Sequence, residues 1–468
     1  MKSIFLAASA IIAVAASAPA FAQHTGHAPP TPTAAPTPLP PAPPTPAAQP
    51  PQPQTDHSAH QMPEQPQGET MDHAGHAMPG MEQAMTGALG TYPMSREASG
   101  TAWQPDASIH GGLHATAGEW MLMGHLTLNG VYDWQEGPRG DEMGFVSGMV
   151  MGMARRDLGD GTLQFRAMLS PDPFMGRRGY PLLLASGETA DGVTPLVDRQ
   201  HPHDLFMELS ASYSHRLSEH AGAFLYAGLP GEPAFGPPAF MHRMSIMDSP
   251  EAPISHHWLD STHITFGVLT AGLVLGDVKI EASRFNGREP DERRYNIETG
   301  PLDSTALRFS WNPTPNLSLQ ASWAHLVSPE QLAPAENSTR WSASAIYTRP
   351  IGTNGWWSTT LAWGRRSGED EQFDAFVLES AVGLRDWTLF GRAEHTENNE
   401  LLSVGGHHGP TFNVGKVSLG AIRDFRVAPN VRVGVGGLYA FNFVPETLEA
   451  LYGGQPNGAM AFIRLKVE

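Results

Sequence analysis

The feature that most constrains the fold of this chain is a strict alternation of apolar and polar residues, which recurs after Trp103. In the first such segment, Glu119 to Trp134, apolar side chains such as Leu122 and Leu128 alternate with polar residues or methionine. Period two places alternate side chains on opposite faces of an extended strand. About sixteen segments of this kind follow one another, and helical periodicity is not evident in any of them. The sequence therefore predicts an all-β fold.

The connections between these segments alternate in length. Short turns such as 312–315 and 428–430 alternate with longer connections, among them 171–203 and 230–261. Short periplasmic turns and long outer loops are typical of outer-membrane barrels, and a closed barrel satisfies its whole backbone in lipid. We therefore predict an antiparallel outer-membrane β-barrel of about 16 strands, within a range of about 14 to 18. A soluble propeller or β-helix is the alternative, but no repeat of blade or solenoid length supports it.

The N-terminal region carries an export signal followed by a stretch without regular structure. Lys2, the apolar run from Ile4 to Ala16 and the sequence Ala20-Phe21-Ala22 are typical of a secretory signal peptide. About half of residues 28–54 are proline, which favours an extended polyproline II rod. We expect the barrel to lie in the bacterial outer membrane, with the N-terminal tail in the periplasm. The predicted regions are a signal peptide, a disordered Pro-rich and His/Met-rich tail and a transmembrane barrel, over residues 1–22, 23–100 and 101–468.

The predicted tail repeats one frame of eight residues. DHSAHQMP at 56–63 and DHAGHAMP at 72–79 both read Asp-His-x-x-His-x-Met-Pro. Imidazole and thioether groups beside a carboxylate suit copper, and the sulfur favours Cu(I). The alternative is a solvated spacer whose histidines bind metal only adventitiously. The candidate ligands of the tail are His57, His60, Met62, His73, His76 and Met78.

Composition and motifs exclude several classes of site and partner. The chain contains no cysteine, so thiolate zinc sites and iron–sulfur clusters are excluded. It has 47 acidic residues against 29 Lys and Arg, so we expect cations to be attracted and no nucleic acid to bind. No dinucleotide loop, nucleophile motif or ordered triad is present in a usable context. We therefore expect no enzymatic activity and no cofactor other than bound metal.

Two long outer loops of the predicted barrel carry further candidate ligands. Histidines two apart in extended backbone project to the same side, so His201 and His203 could share one ion, with Asp204 as a partner. Because long barrel loops often fold inward, this loop and the next could meet at one constriction of the pore. The alternatives are histidines that face water and methionines that pack a loop core. The candidate ligands of the second loop are Met241, His242, Met244, His256, His257 and His263.

Methionines on the first two strands form a third set. If the Leu/Trp face of the first strand meets lipid, its methionines and His125 must face the lumen. For Met149, Met151 and Met153 of the second strand, the pattern leaves the facing open, and we favour the lipid side because methionine is apolar enough for it.

The motifs DHSAHQMP and MDHAGHAMPGM, followed by a barrel, resemble the copper-resistance outer-membrane B proteins, which join a Met/His-rich periplasmic tail to a β-barrel. The resemblance covers the tail closely and the barrel in its general plan. It implies copper tolerance, by sequestration or by outward passage.

Two classes of function follow from these patterns. In the first, the tail captures copper or silver ions in the periplasm, and the barrel passes them or holds them at its His/Met sites. Its partners would be outer-membrane lipid, metal ions and a periplasmic copper protein. In the second, the barrel is a general solute porin and the tail is incidental.

Overall fold

The computed structural model describes residues 85–109, 111–368, 371–402 and 408–468. Within these ranges, no helix is long and apolar enough to cross a membrane. The predicted signal peptide lies outside the described residues, and the metal-binding role of the tail stays a prediction. Also outside them are the candidate tail ligands His57, His60, Met62, His73, His76 and Met78.

The main sheet has 17 strands, and all of them except the short β1 (Leu113–Ala117) form one closed antiparallel barrel. Each barrel strand pairs with the next one in the barrel, and the last pairs with the first, which closes the barrel. The prediction of about sixteen barrel strands is therefore confirmed. The barrel strands are β2 (Trp120–Gln135), β3 (Glu142–Leu158), β4 (Gly161–Leu169), β7 (Phe206–Ser218), β8 (Ala221–Gly228), β9 (Val268–Leu275), β10 (Val278–Phe285), β11 (Ser304–Thr314), β12 (Leu317–Val327), β13 (Asn337–Ile351), β14 (Gly355–Ser367), β15 (Gln372–Leu384), β16 (Trp387–Asn398), β17 (Phe412–Ala428), β18 (Val431–Phe443) and β19 (Asn457–Val467).

The remaining elements are short and are not part of the barrel wall. β5 (Tyr180–Thr189) and β6 (Pro195–Gln200) form a separate hairpin, which the sequence analysis did not predict. The α-helices are α1 (His256–Leu259) and α2 (Glu446–Tyr452). Single 3-10 turns span Met94–Arg96, Asp172–Met175, Phe240–His242 and Ser261–His263.

Alternation along the strands separates an apolar outer surface from a polar lumen. On β2, Tyr132 and Trp134 are 53% and 39% exposed, whereas Asp133 between them is fully buried. Lys279 and Glu281 of β10 are likewise buried inside, while Ile280 is exposed. An apolar outer face and a polar interior are what a barrel surrounded by lipid requires.

The methionines of β3 face the lumen, so the favoured lipid-side prediction is wrong. Val146 and Val150 are 46% and 42% exposed, whereas Met149 is only 5% exposed. Met151 and Met153 share the parity of Met149 along the strand. The period-two pattern could not decide this facing, because methionine is apolar enough for either side.

The connections alternate in length as predicted. Turns of two or three residues, such as 219–220 and 276–277, join strands at one end of the barrel, which we call the short-turn end. The opposite, long-loop end carries connections that are mostly longer. Of these, 170–205 contains the β5–β6 hairpin, and 229–267 contains α1.

The 229–267 loop crosses the lumen. Arg243 of this loop donates to Glu379 of β15 at 2.6 and 2.8 Å, and both side chains are fully buried. Trp258 of the same loop is 1% exposed and donates to the backbone carbonyl of Phe373. The hydrogen bonds of this loop reach six strands between β10 and β19, namely β10, β12, β14, β15, β16 and β19.

Residues 85–109 fold inside the short-turn end of the barrel, and we call this segment the plug. The Thr91 hydroxyl donates to the backbone carbonyl of Glu219, which lies in a short turn. Arg96 pairs with Asp277, in another short turn, at 3.1 Å. Trp103 is 3% exposed, and Arg96 lies over its ring.

The sequence analysis placed residues 85–100 in the disordered tail, whereas the structure packs them against the barrel wall. Arg166 of β4 donates to the backbone carbonyl of Ala98 at 3.4 Å, and Ser214 of β7 donates to that of Ala88 at 2.7 Å. These partners lie 68 and 126 positions away along the chain, and the segment itself has no strand or helix periodicity. A reading of local pattern could not find such contacts.

Candidate metal site

Five histidines from the two long loops meet inside the barrel, and we call them the histidine cluster. His201 and His203 follow β6, α1 begins at His256 and includes His257, and the 3-10 turn Ser261–His263 ends at His263. The ring centroids of His203 and His263 are 5.3 Å apart, and those of His256 and His263 are 5.2 Å apart. His257 lies 5.7 Å from His256 and 5.5 Å from His201. The structure thus brings together the two loops that the sequence analysis expected to meet.

The Nδ1 atoms of three of these rings are held by fixed acceptors. His203 Nδ1 lies 2.8 Å from the Asp172 carboxylate, and His256 Nδ1 lies 2.8 Å from that of Asp260. His263 Nδ1 lies 2.7 Å from the backbone carbonyl of Asp260. Because carboxylate and carbonyl oxygens accept, each Nδ1 carries a proton, and in a neutral imidazole the lone pair is then on Nε2. This is the arrangement that metal-ligating histidines adopt.

Two of the Nε2 atoms make no hydrogen bond within the described part of the chain. Those of His203 and His263 are buried and have no hydrogen-bond partner among the described residues. Leaving a buried polar atom unpaired costs roughly 1–3 kcal/mol. An ion bound at these nitrogens would remove that cost, so their chemistry fits a metal.

Asp260 is fixed from behind by Arg243. The guanidinium lies 2.7 Å from the Asp260 carboxylate, and both groups are almost fully buried. Burial raises the pKa of Asp260, but the charge of Arg243 and the hydrogen bond from His256 outweigh it, so this pKa lies below its usual range. Asp260 is therefore ionised at neutral pH and can hold the proton of His256 in place.

Burial favours the neutral form of two rings of the cluster, those of His201 and His263. The pKa values of His201 and His263 lie well below 6.5, first because of burial and then because of neighbouring imidazoles. A neutral imidazole is the form that binds a metal ion. His257 differs, because Glu289 at 3.3 Å raises its pKa although burial opposes this.

Methionines pack beside the histidine cluster. Met149, Met168 and Met207 form one buried group with Ile264 and Phe266, the residues that follow His263 closely. Met241 is packed against this group and also lines a cavity with His203 and Met149. Thioether sulfur beside imidazole nitrogen favours Cu(I) and other soft cations.

The other predicted ligands of the two loops have different surroundings. One carboxylate oxygen of Asp204 pairs with Arg294 at 3.4 Å, and the other is buried without a hydrogen-bond partner among the described residues. Burial raises the pKa of Asp204 to about 7. Met244 is buried, and its sulfur accepts a hydrogen bond from the Ile109 backbone at 3.0 Å. His242 ends the 3-10 turn that contains Met241, and its ring is not one of the five in the cluster.

Sequence reasoning missed the side chains that orient the cluster. Asp172 precedes His203 by 31 positions, and Glu188, which lies 3.1 Å from His201, has no motif around it. Asp260 stands four residues after His256, a spacing at which side chains meet on a helix, and this was the one local signal. Glu289 comes from a third loop and gave none.

The nitrogens of the histidine cluster do not converge on one point as the ligands of a three-nitrogen metal site would. Among the described residues, the group of His, Asp or Glu ligand atoms that all lie within 4.8 Å of one another is Glu330, Glu400 and His408, at the long-loop end. No three nitrogens of the histidine cluster therefore lie this close together, and the rings as they are held could bind one ion through at most two of them.

Comparison with known proteins finds similar solved structures of porins but no matching family. No family model and no curated protein matches the chain. Among solved structures, the chain is similar to OmpF of Salmonella typhi in complex with daunomycin, at 12% identity and a TM-score of 0.48, over 76% of this chain and 100% of that one. It is also similar to an anion-selective porin from Comamonas acidovorans, at 10% identity and a TM-score of 0.42, over 74% and 100% of the two chains. Both TM-scores are below 0.5, so the fold is assigned from the strand pairing described above.

Proposed function

We propose that this chain is an outer-membrane metal-tolerance protein that binds copper ions, or silver ions, at the histidine cluster of its lumen. The observation that carries the proposal is the shared orientation of His203, His256 and His263, whose Nδ1 atoms are all engaged by acceptors. A loop whose histidines merely faced water would not bury them or hold them in this way. The neighbouring methionines favour copper and silver over zinc, because thioethers are soft ligands.

In this proposal the tail lies in the periplasm and supplies the ion. The plug contacts the turns at Glu219 and Asp277, which supports entry of the chain at the short-turn end. Periplasmic turns are the short ones in outer-membrane barrels. A tether with several ligand groups raises their local concentration and exchanges metal quickly, since no fold must open. A periplasmic copper protein is the expected donor.

A general solute porin is the second candidate. A closed barrel of sixteen strands supports it, because porins use barrels of this size. Against it stand the 229–267 loop and the plug, which occupy the lumen at two levels. A wide aqueous channel needs that space empty.

Metal tolerance of the producing cells tests the proposal. We expect cells with His203, His256 and His263 all changed to Ala to tolerate less copper than cells with the unchanged chain. The matched control changes His215 and His220, two exposed histidines at the short-turn end. Equal tolerance in all three strains, together with induction by a carbon source rather than by copper salts, would favour the porin.

A further inference from the structure

A second group of ligand-type side chains lies at the long-loop end, and we call it the outer cluster. It consists of Glu330, in the 328–336 loop, and of Glu400 and His408, in the 399–411 loop. Ligand atoms of all three lie within 4.8 Å of one another. The His408 side chain is 28% exposed, so the cluster is open to the outside.

The outer cluster has more carboxylates than it has cations. His408 Nε2 lies 3.5 Å from Glu330 and 3.9 Å from Glu336. Arg366 pairs with Glu400 at 2.6 Å and reaches Glu330 at only 3.8 Å. Arg340 is a second guanidinium near these carboxylates, which also include Glu289. Two guanidinium groups facing four carboxylates leave the group attractive to a further cation.

An unpaired buried nitrogen faces the same cavity. The outer cluster and His257 together line a cavity of about 40 Å³, which has room for an ion and a few waters. His257 is 6% exposed, and its Nε2 has no hydrogen-bond partner among the residues that the structure describes. Its Nδ1 faces Glu289, so the orientation resembles that of the three rings held in the lumen.

The backbone of the β5–β6 hairpin makes room for the His257 ring. Gly187 has φ +108°, a conformation that L side chains rarely adopt. A Cβ atom at this position would lie 2.4 Å from His257 Cε1. Only glycine therefore fits here with the ring in place.

We infer that Glu330, Glu400 and His408 form a second metal site, which takes a divalent cation such as Cu(II) or Zn(II), with His257 as a neighbouring ligand across the cavity. Two carboxylates and an imidazole without sulfur suit these borderline cations, whereas Cu(I) and Ag(I) prefer thioether ligands. The site is thus complementary in chemistry to the methionine-flanked histidine cluster. The inference goes beyond the proposed function and stands without it, because binding at the outer cluster does not require an ion in the lumen.

Zinc titration of the full mature chain, folded in detergent, tests the inference. We expect the His408→Ala and Glu330→Gln variants each to bind one fewer tight Zn(II) than the unchanged chain, with at least about tenfold weaker binding of that ion. The control is His220→Ala, which removes an exposed histidine at the opposite end. Retention of the heat-dependent shift in gel mobility shows that each variant is still a folded barrel.

Silver titration of the same variants separates this inference from the proposed function. We expect Ag(I) binding to be unchanged in His408→Ala, because silver prefers the sulfur-flanked sites. If His408→Ala and Glu330→Gln bind Zn(II) as His220→Ala does, the outer site is wrong. If instead they lose Zn(II) while the His203, His256 and His263 variant keeps all its Ag(I), the outer site stands and the proposed function fails.

Discussion

At the scale of single residues, the chemistry depends on the groups that hold the histidines. His203 can offer Nε2 to an ion because Asp172 fixes its Nδ1 proton at 2.8 Å. Carboxylate partners of this kind orient a ligating ring and raise its basicity. Their removal typically weakens metal binding by about 10–100-fold.

The first prediction concerns this partner. We expect Asp172→Asn to weaken Ag(I) or Cu(I) binding in the lumen by about tenfold, because the amide still accepts a hydrogen bond but carries no charge. The matched control is Asp191→Asn, since Asp191 lies in the same long loop and accepts hydrogen bonds only within its own turn. Equal affinities of the two variants, measured by competition titration, would remove Asp172 from the account.

The second prediction concerns the fit of His257. Gly187→Ala should displace the ring and weaken Zn(II) binding at the outer cluster by about tenfold or more. Gly192→Ala is the control, because Gly192 also has positive φ, at +80°, yet its Cβ would meet nothing closer than Gln331 at 3.5 Å. Both variants carry similar backbone strain, so only the first should change zinc binding in an isothermal titration.

The histidines of the proposed metal site could be selected from the sequence, but the groups that hold them in place could not. His201, His203, His256, His257 and His263 stood out because histidine clusters are uncommon in loops. Asp172 and Glu289 did not, because an isolated carboxylate in a long loop has no pattern. The contact of Asp204 with Arg294 could not be predicted either, because the two residues lie 90 positions apart.

At the scale of elements, the packing of the two long loops keeps His201 and His263 uncharged inside the barrel. Burial lowers the pKa of His201 and His263 below 6.5, and the nearby Arg294 and His256 add to this. A loop released into water would bind more protons than the packed loop below about pH 6.5. The packed state of the loop therefore keeps its full stability above that pH and becomes less stable as the pH falls below it. His257 has a raised pKa and acts in the opposite direction.

The third prediction follows from that sign. We expect hydrogen-exchange protection of backbone amides 254–264, corrected for intrinsic rates, to fall by about tenfold or more between pH 7.5 and pH 5. Plug residues 96–104 contain no histidine and serve as the internal control. Protection that stays flat in the loop, or that falls equally in the plug, would contradict the account.

The barrel strands could be predicted and the inner elements could not. Period-two alternation is a local signal, and lipid outside with polar groups inside enforces it on every strand. The β5–β6 hairpin and the plug lie inside the lumen and have no face toward lipid. Their sequences therefore alternate weakly or not at all. Their places are set by contacts with distant strands, such as that of Asn312 with Gln104.

At the scale of the whole molecule, an occupied lumen distinguishes a metal-handling barrel from a general porin. The fourth prediction is that liposomes containing the full chain take up disaccharides no faster than empty liposomes. A variant lacking both the inward part of the long loop, residues 234–262, and the plug, residues 85–109, should admit them and serves as the positive control. Uptake by the unchanged chain at the rate of that variant would support the porin.

The most direct test of the central claim is the number of copper ions bound in the absence of the tail ligands. The full mature chain, with the candidate histidines of its tail changed to Ala and the candidate methionines to Leu, would be loaded anaerobically with Cu(I), which the sulfur-free outer cluster does not favour, and its copper counted. We expect about one tightly bound copper, which disappears when the lumen histidines are also changed to Ala. If the tail-substituted chain holds none while the unchanged chain holds several, the tail alone is the chelator and the barrel is not a metal site. The tail positions are His57, His60, Met62, His73, His76 and Met78, and the lumen positions are His203, His256 and His263.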